Sequence, residues 1–288
     1  LQSAGLQSEC LQSGGLQSGD LFSLCAKSPQ SPFSPRIAHW TGAYTLLGPI
    51  VPVHAFGNAC EIEKIQKIAE QHSLKVIYDA SHAFGVQYKE DNILSYGDIS
   101  ILSLHATKLF HTIEGGALII KNYELASKVR RIINFGIKRG GVKGGANIVE
   151  VGVNAKMNEF EAAMGLCVLD DMKFIIEKRK AVYNRYTQAL NKSFQLQEKN
   201  NNSSNNYSYF SIVMDSESKL LSILKKLNQL QIFPRRYFYP TLNKLNYVEQ
   251  GQECLVSEDI SSRILCLPLF TALEEKDQNI IINTILEA

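Results

Sequence analysis

The sequence predicts an α/β chain: a larger domain with a mostly parallel sheet, followed by a smaller α+β domain. Three observations carry this. Short runs rich in Val, Ile and Leu ("LKVIYDA", "DISILSL", "GGALIIK") are too continuously apolar for a sheet with one wet face. Amphipathic helical patterns alternate with the first of these runs, which is how parallel strands are connected and covered. At 288 residues, 45% of them apolar and 20% charged, the chain has the composition of a globular protein long enough for two cores.

Residues 1–47 stand apart. Leu-Gln-Ser recurs every five residues in "LQSAGLQSECLQSGGLQSGD", a period that fits neither helix nor strand, and "KSPQSPFSPR" reads as a linker. This segment is expected to be disordered and outside the fold. From residue 48 the order is a strand ("PIVPVHAFG"), a helix ("EIEKIQKIAEQHS") and a strand ending at Asp79. Two further strands follow, at "DISILSL" and "GGALIIK", and then the helix "YELASKVRRIINFG". A Gly-rich loop, "KRGGVKGGANIVEVG", lacks the GK[ST] of a phosphate loop and is weak as a nucleotide cradle. A long helical pattern from "MNEFEAAMG" with Glu159 in its first turn leaves the larger domain, 48–170. The smaller domain, 171–288, contains strand-like "FQLQEK" and "YFSIVMD" around the polar loop "NNNSSNNYS", and ends in the helix "EEKDQNIIINTILEA".

With 30 basic and 28 acidic residues the net charge is +2, which provides no concentrated basic field for nucleic acid or a membrane surface. The partner expected is a small molecule. Cys10, Cys25, Cys60, Cys167, Cys254 and Cys266 form no CxxC pair, so neither a metal site nor a disulfide framework is signalled, and a reduced, cytoplasmic chain is expected. No apolar run reaches membrane-spanning length.

Asp79, His82, Ser103 and Lys108 fall at or just beyond the carboxyl ends of two predicted strands, where open α/β sheets bind ligands. A lone amine, a carboxylate and a hydroxyl there suit pyridoxal phosphate, which needs an amine for its Schiff base, a carboxylate for its ring nitrogen and donors for its phosphate. Ordinary roles compete. Asp79 fits a turn or cap, Lys108 a solvated charge, and His82 and His105 structural imidazoles. The residues alone leave both accounts open.

The ordered segments "PVHAFGNACEIEKI", "VIYDASHAFG", "GDISILSLHATKLFHTIEGGALI", "GVNAKMNEFEAAMG", "RRYFYP" and "ILCLPLF" resemble the DegT-type nucleotide-sugar aminotransferases, pyridoxal 5'-phosphate enzymes of fold type I, the aspartate aminotransferase fold. The likeness runs from about residue 48 to the end. It implies Lys108 as the Schiff-base lysine and proton carrier and Asp79 as the carboxylate at the pyridine nitrogen. It further implies His82 beside the 3-hydroxyl, Ser103 at the phosphate, and Asn154 reaching the phosphate of a neighbouring subunit, hence a homodimer with shared sites. The pattern S-x-H-x-x-K-(x5)-E-G-G is similar to members that aminate C4 of a 4-keto-6-deoxy nucleotide sugar, dTDP-4-amino-4,6-dideoxyglucose transaminases in particular, with glutamate as donor, in polysaccharide biosynthesis. Residues 1–47 resemble none of the strands or the phosphate-binding helix that precede this point in the family. The expected large domain is therefore N-terminally incomplete, and a truncated, inactive remnant that only binds or dimerises is the alternative expectation.

Overall fold

The structure, a computed structural model, describes the backbone of Cys10–Ser13 and residues 48–138, 145, 147–248 and 253–288. Most of the Leu-Gln-Ser segment and the centre of the Gly-rich loop lie outside the described residues. The chain divides into two compact units, one reaching to Asp171 with Asn200–Asn206 added, the other formed by Met172–Lys199 and Tyr207–Ala288.

In the first unit a short strand β1 (Cys10–Ser13) pairs antiparallel with residues 116–119. Residues 50–53 then run parallel to residues 76–79, bridged at Ile50 to Val76 and at Val53 to Asp79. Helix α1 (Ile62–Gln71) follows, burying Ile62 and Ala69 at helical spacing while its Lys and Glu residues face water. Strand β2 (Ile77–Asp79) leads to a two-stranded ribbon, β3 (Gln87–Tyr88) and β4 (Asp91–Asn92), and then to β5 (Ile99–Ser103) and β6 (Gly116–Ile120). The main sheet has the order β1-β6-β5-β2.

The sheet is mixed where the sequence predicted mostly parallel. Strands β2 and β5 are parallel, with Ile77 opposite Ile99, but β6 returns antiparallel to β5, with Ser103 opposite Gly116. The cause is local. Residues 104–115 contain no helix that could carry the chain back across a face, and a direct connection can only make an antiparallel pair. Behind the sheet, Val76, Tyr78, Ala80, Ala83, Val86 and Ile93 pack with Ile62 and Ala69.

Helix α2 (Tyr123–Ile132) begins at Asn122, whose side chain accepts from the Leu125 amide at 2.8 Å, and ends with Arg130 and Arg131 facing its negative dipole end. Helix α3 (Glu159–Leu190) is 32 residues long. Asn158 and Glu161 start it reciprocally, the Glu161 amide donating to Asn158 Oδ1 at 2.9 Å and the Asn158 amide to Glu161 Oε2 at 3.0 Å, the capping-box arrangement.

The second unit is a three-stranded antiparallel sheet, β7 (Gln195–Leu196), β8 (Phe210–Val213) and β9 (Ile264–Leu267), with α4 (Glu217–Gln229), α5 (Leu255–Arg263) and α6 (Glu275–Leu286). Every residue of β8 and β9 is buried, and the core joins them to Tyr186 and Leu190 of α3, Leu220 and Ile223 of α4, and Ile281 of α6. Among the described residues no helix is long and apolar enough to cross a membrane, and no cluster of His, Cys, Asp or Glu could hold a metal.

Candidate active site

Because β2 and β5 are parallel, Asp79 and Ser103 close them at the same end of the sheet. Residues 50–53 run the same way and deliver His54 there as well, its amide donating to the Asp79 carbonyl at 3.0 Å. Three strand ends therefore converge, as they do at ligand crevices of open α/β sheets.

Asp79 does what an ordinary turn aspartate does and keeps something over. Its Oδ1 accepts from the Ser81 amide at 3.0 Å, and among the described residues Oδ2 takes no hydrogen bond. The turn it starts carries His82, 8% exposed, whose Nδ1 accepts from the Phe56 amide at 3.1 Å. With Nδ1 committed as acceptor, the ring proton of neutral His82 sits on Nε2. Burial lowers the His82 pKa to about 4, the Lys108 charge adds to this and Asp79 opposes it, so the ring is neutral at pH 7.

Lys108 lies in the connection from β5 to β6. Backbone bonds from Leu104 to the Gly115 carbonyl (2.8 Å) and from Thr112 to the Leu104 carbonyl (2.9 Å) close its base, and the Lys108 amide donates to the His105 carbonyl at 2.9 Å. His105 braces the same turn: its Nδ1 accepts from the Thr107 amide at 3.1 Å and its Nε2 lies 3.5 Å from Glu114 Oε1. Phe84 and Phe110 stack at 4.3 Å, joining this loop to the turn after Asp79. The Lys108 amine is half-buried and has no hydrogen-bond acceptor among the described residues. Burial lowers its pKa, and the nearby Asp79 carboxylate restrains the shift.

Of the sequence-predicted residues, Asp79, His82 and Lys108 thus lie within electrostatic reach of one another, and Ser103 ends the strand that feeds Lys108. Asn154 makes its contacts elsewhere. It is exposed, its Oδ1 accepts from Lys156 at 2.7 Å and its backbone bridges Asn134.

Two residues at this end were not singled out from the sequence. His54, fully buried and stacked on Tyr78 at 4.6 Å, accepts from the Cys60 amide through Nδ1, and burial holds its pKa at about 4. Its place at the end of a predicted strand was the available signal. Asn206, the second, carried none. A cleft of about 410 Å³ lined by Lys75, Asp98, Lys121 and Lys128 lies at the opposite, amino ends of β2 and β5, away from these groups.

An acid, a neutral imidazole and an amine of lowered pKa thus gather at the strand ends of a fold shared with solved sugar aminotransferases of fold type I. Solved members superpose on the chain: DesI, determined in the presence of its TDP-sugar product, at a TM-score of 0.74 and 27% identity over 85% of this chain and 63% of that one. Helicobacter pylori PseC gives a TM-score of 0.76 at 24% identity, a likeness of fold, over 83% and 66% of the two chains. Residues 41–286 match the model of the DegT/DnrJ/EryC1/StrS aminotransferase family, and the chain belongs to that family. It is 38% identical over 248 residues to a dTDP-4-amino-4,6-dideoxy-D-glucose transaminase of Shigella dysenteriae, a match covering 83% of this chain and 65% of the relative. A UDP-4-amino-4,6-dideoxy-N-acetyl-beta-L-altrosamine transaminase of Campylobacter jejuni is 32% identical over 67% of this chain and 47% of its own. The chain spans less than two thirds of the length of these relatives.

Proposed function

We propose that this chain is a pyridoxal-phosphate-dependent aminotransferase that moves an amino group from glutamate to C4 of a 4-keto-6-deoxy nucleotide sugar, a dTDP sugar first among them. One observation carries the reading: a half-buried Lys108 amine with a lowered pKa and, among the described residues, no hydrogen-bond acceptor, in the field of an Asp79 carboxylate that has one oxygen uncommitted among those residues.

The residues fit the cofactor. Asp79 Oδ2, which takes no hydrogen bond among the described residues, would accept from a protonated ring nitrogen, His82 would stand beside the 3-oxygen, and the Ser103 hydroxyl at the strand end would meet the phosphate. When bound, pyridoxal phosphate supplies an electron sink for the carbon losing its proton. Lys108 would hold that group through its amine and, in its neutral form, would take and return the proton at the substrate carbon. Burial raises the neutral share of the Lys108 amine at pH 7, which both tasks need; Asp79 limits that gain while favouring the charged ring.

The sugar assignment rests on the relatives' names and on the Ser103-His105-Lys108-Glu114 pattern. Asn154 reaching the phosphate of a second copy belongs to the same reading. It is supported by the exposure of Asn154 itself and of the neighbouring Val151, Val153 and Phe160, an apolar set that a homodimer would cover. A cytoplasmic location suits a nucleotide-sugar substrate.

The test is reduction with borohydride in the presence of pyridoxal phosphate, followed by peptide mapping, and then glutamate-dependent amination of dTDP-4-keto-6-deoxyglucose. The label is expected on Lys108. A label on Lys138 or Lys143, or a colourless protein that takes no label, overturns the reading.

A further inference from the structure

We propose that Asn206 is a positioning residue that fixes the His82–Phe84 turn, and through it the His82 imidazole that the pyridoxal-phosphate reading places beside the cofactor ring. The role rests on that reading only for its last step; the positioning stands on this chain's own geometry.

Residues 200–206 read from the sequence as a polar loop of the smaller domain. In the structure they group with the first unit, although the chain on both sides belongs to the second. The segment is bonded along its length. The Asn200 amide donates to Asn58 Oδ1 at 2.9 Å, the Lys89 amide to the Asn202 carbonyl at 2.6 Å, and Ser204 exchanges bonds of 2.8 and 2.9 Å with the backbone of Gln87.

The segment ends on Asn206, 3% exposed, whose Nδ2 donates to the carbonyls of His82 at 2.8 Å and Phe84 at 2.9 Å. A primary amide is suited to this place because it puts two protons on one nitrogen, a fork that spans two carbonyls two residues apart. Asp in its place would turn acceptors toward acceptors, and an apolar residue would donate to neither carbonyl. On the other side Gly57, at φ +82°, lets the amide approach: a Cβ there would lie 2.7 Å from Asn206 Oδ1.

His82 is then held at three points. Asn206 fixes its carbonyl, the Phe56 amide fixes Nδ1, and the Phe56 ring lies parallel to the imidazole at 6.0 Å. Release of the first lets the turn move and weakens the second, whose partner sits on a separate strand end.

The experiment has a cofactor-free arm and a cofactor arm. In the cofactor-free protein, Asn206→Ala and the less disruptive Asn206→Ser are compared by amide hydrogen exchange at Phe56, which donates to His82, and at Ile77, which donates to Ile50 away from the turn. Exchange at Phe56 should accelerate at least tenfold with Ile77 changed less than twofold. Equal acceleration at both, or none at Phe56, overturns the proposal.

In the cofactor arm, the dissociation constant for pyridoxal phosphate is measured for the parent, Asn206→Ser, His82→Ala and the double variant. Asn206→Ser should weaken binding about tenfold in the parent and less than twofold in the His82→Ala background, because it acts through that ring. Independent, additive losses contradict action through His82. If the parent itself takes up no pyridoxal phosphate, the proposed function has failed, and the exchange arm still decides the placement of His82 by Asn206.

Discussion

Two buried histidines make the first unit sensitive to mild acid. His54 and His82 both titrate near 4 in the folded chain because burial disfavours their charged forms, against an ordinary value of 6.5 when unfolded. Between those values the unfolded chain binds protons that the folded chain refuses, so stability rises with pH in this window and falls as acid is added. It is complete above about 6.5 and shrinks down to about 4. Lowering the pH from 8 to 5 costs about 2 kcal/mol for each histidine by proton linkage, about 4 kcal/mol together. That is a large part of the 5–15 kcal/mol that keeps a typical domain folded. The carboxylates held low by ion pairs, Glu63 and Glu258 at about 2, titrate in the unfolded chain near 4.5 and contribute little above pH 5. The assay is urea unfolding read by hydrogen exchange of the β2 peptide, which reports the unit containing both rings. With a urea dependence of about 3 kcal/mol per molar, the midpoint should fall by more than 1 M between pH 8 and pH 5. His54→Gln and His82→Asn should each remove about half of the pH dependence, whatever they do to stability at pH 8. A midpoint unchanged between the two pH values, or a pH dependence that survives in the double variant, refutes the argument, as would NMR titration of either ring near 6.5 in the folded protein.

Asp79→Asn keeps the bond from the Ser81 amide to an oxygen but removes the charge, so folding should change by less than about 1 kcal/mol in urea melts while transamination falls by orders of magnitude. An unchanged rate in the cofactor-loaded variant would remove Asp79 from the ring nitrogen. Gly136→Ala should destabilise the first unit by about 3 kcal/mol, since Gly136 has φ +73° and a Cβ there would sit 1.7 Å from the Glu150 carbonyl oxygen. A urea midpoint within 0.3 M of the parent (roughly 1 kcal/mol) would contradict that close approach. Arg179→Met should cost about 2–4 kcal/mol in the second unit, because the guanidinium donates to the carbonyls of Tyr207 at 2.9 Å and Ser208 at 2.6 Å and the substitution removes both charge-assisted bonds. Thermal unfolding measures it, and a neutral result would show that water replaces the arginine.

The sequence by itself determined the elements and the end of the sheet where chemistry gathers. The run "VIYD" is a strand because its apolar residues have no polar alternative, and its carboxyl end is Asp79 in any parallel arrangement. Likewise "SILS" must close at Ser103, and Lys108 must fall in the loop that follows. What those residues experience was decided by tertiary structure. The direction of β6 followed from a connection too short on helix to cross the sheet, and the depressed titration of His54, His82 and Lys108 followed from burial by segments distant in sequence. Asn206 is the clearest case. It is 124 residues from His82, in a stretch whose Asn and Ser content reads as solvated loop, yet it is buried with both protons spent. Periodicity reports which face of an element is apolar. It has no access to a bond between two loops, because such a bond exists only once the first unit has folded and brought one loop's donors against the other's carbonyls.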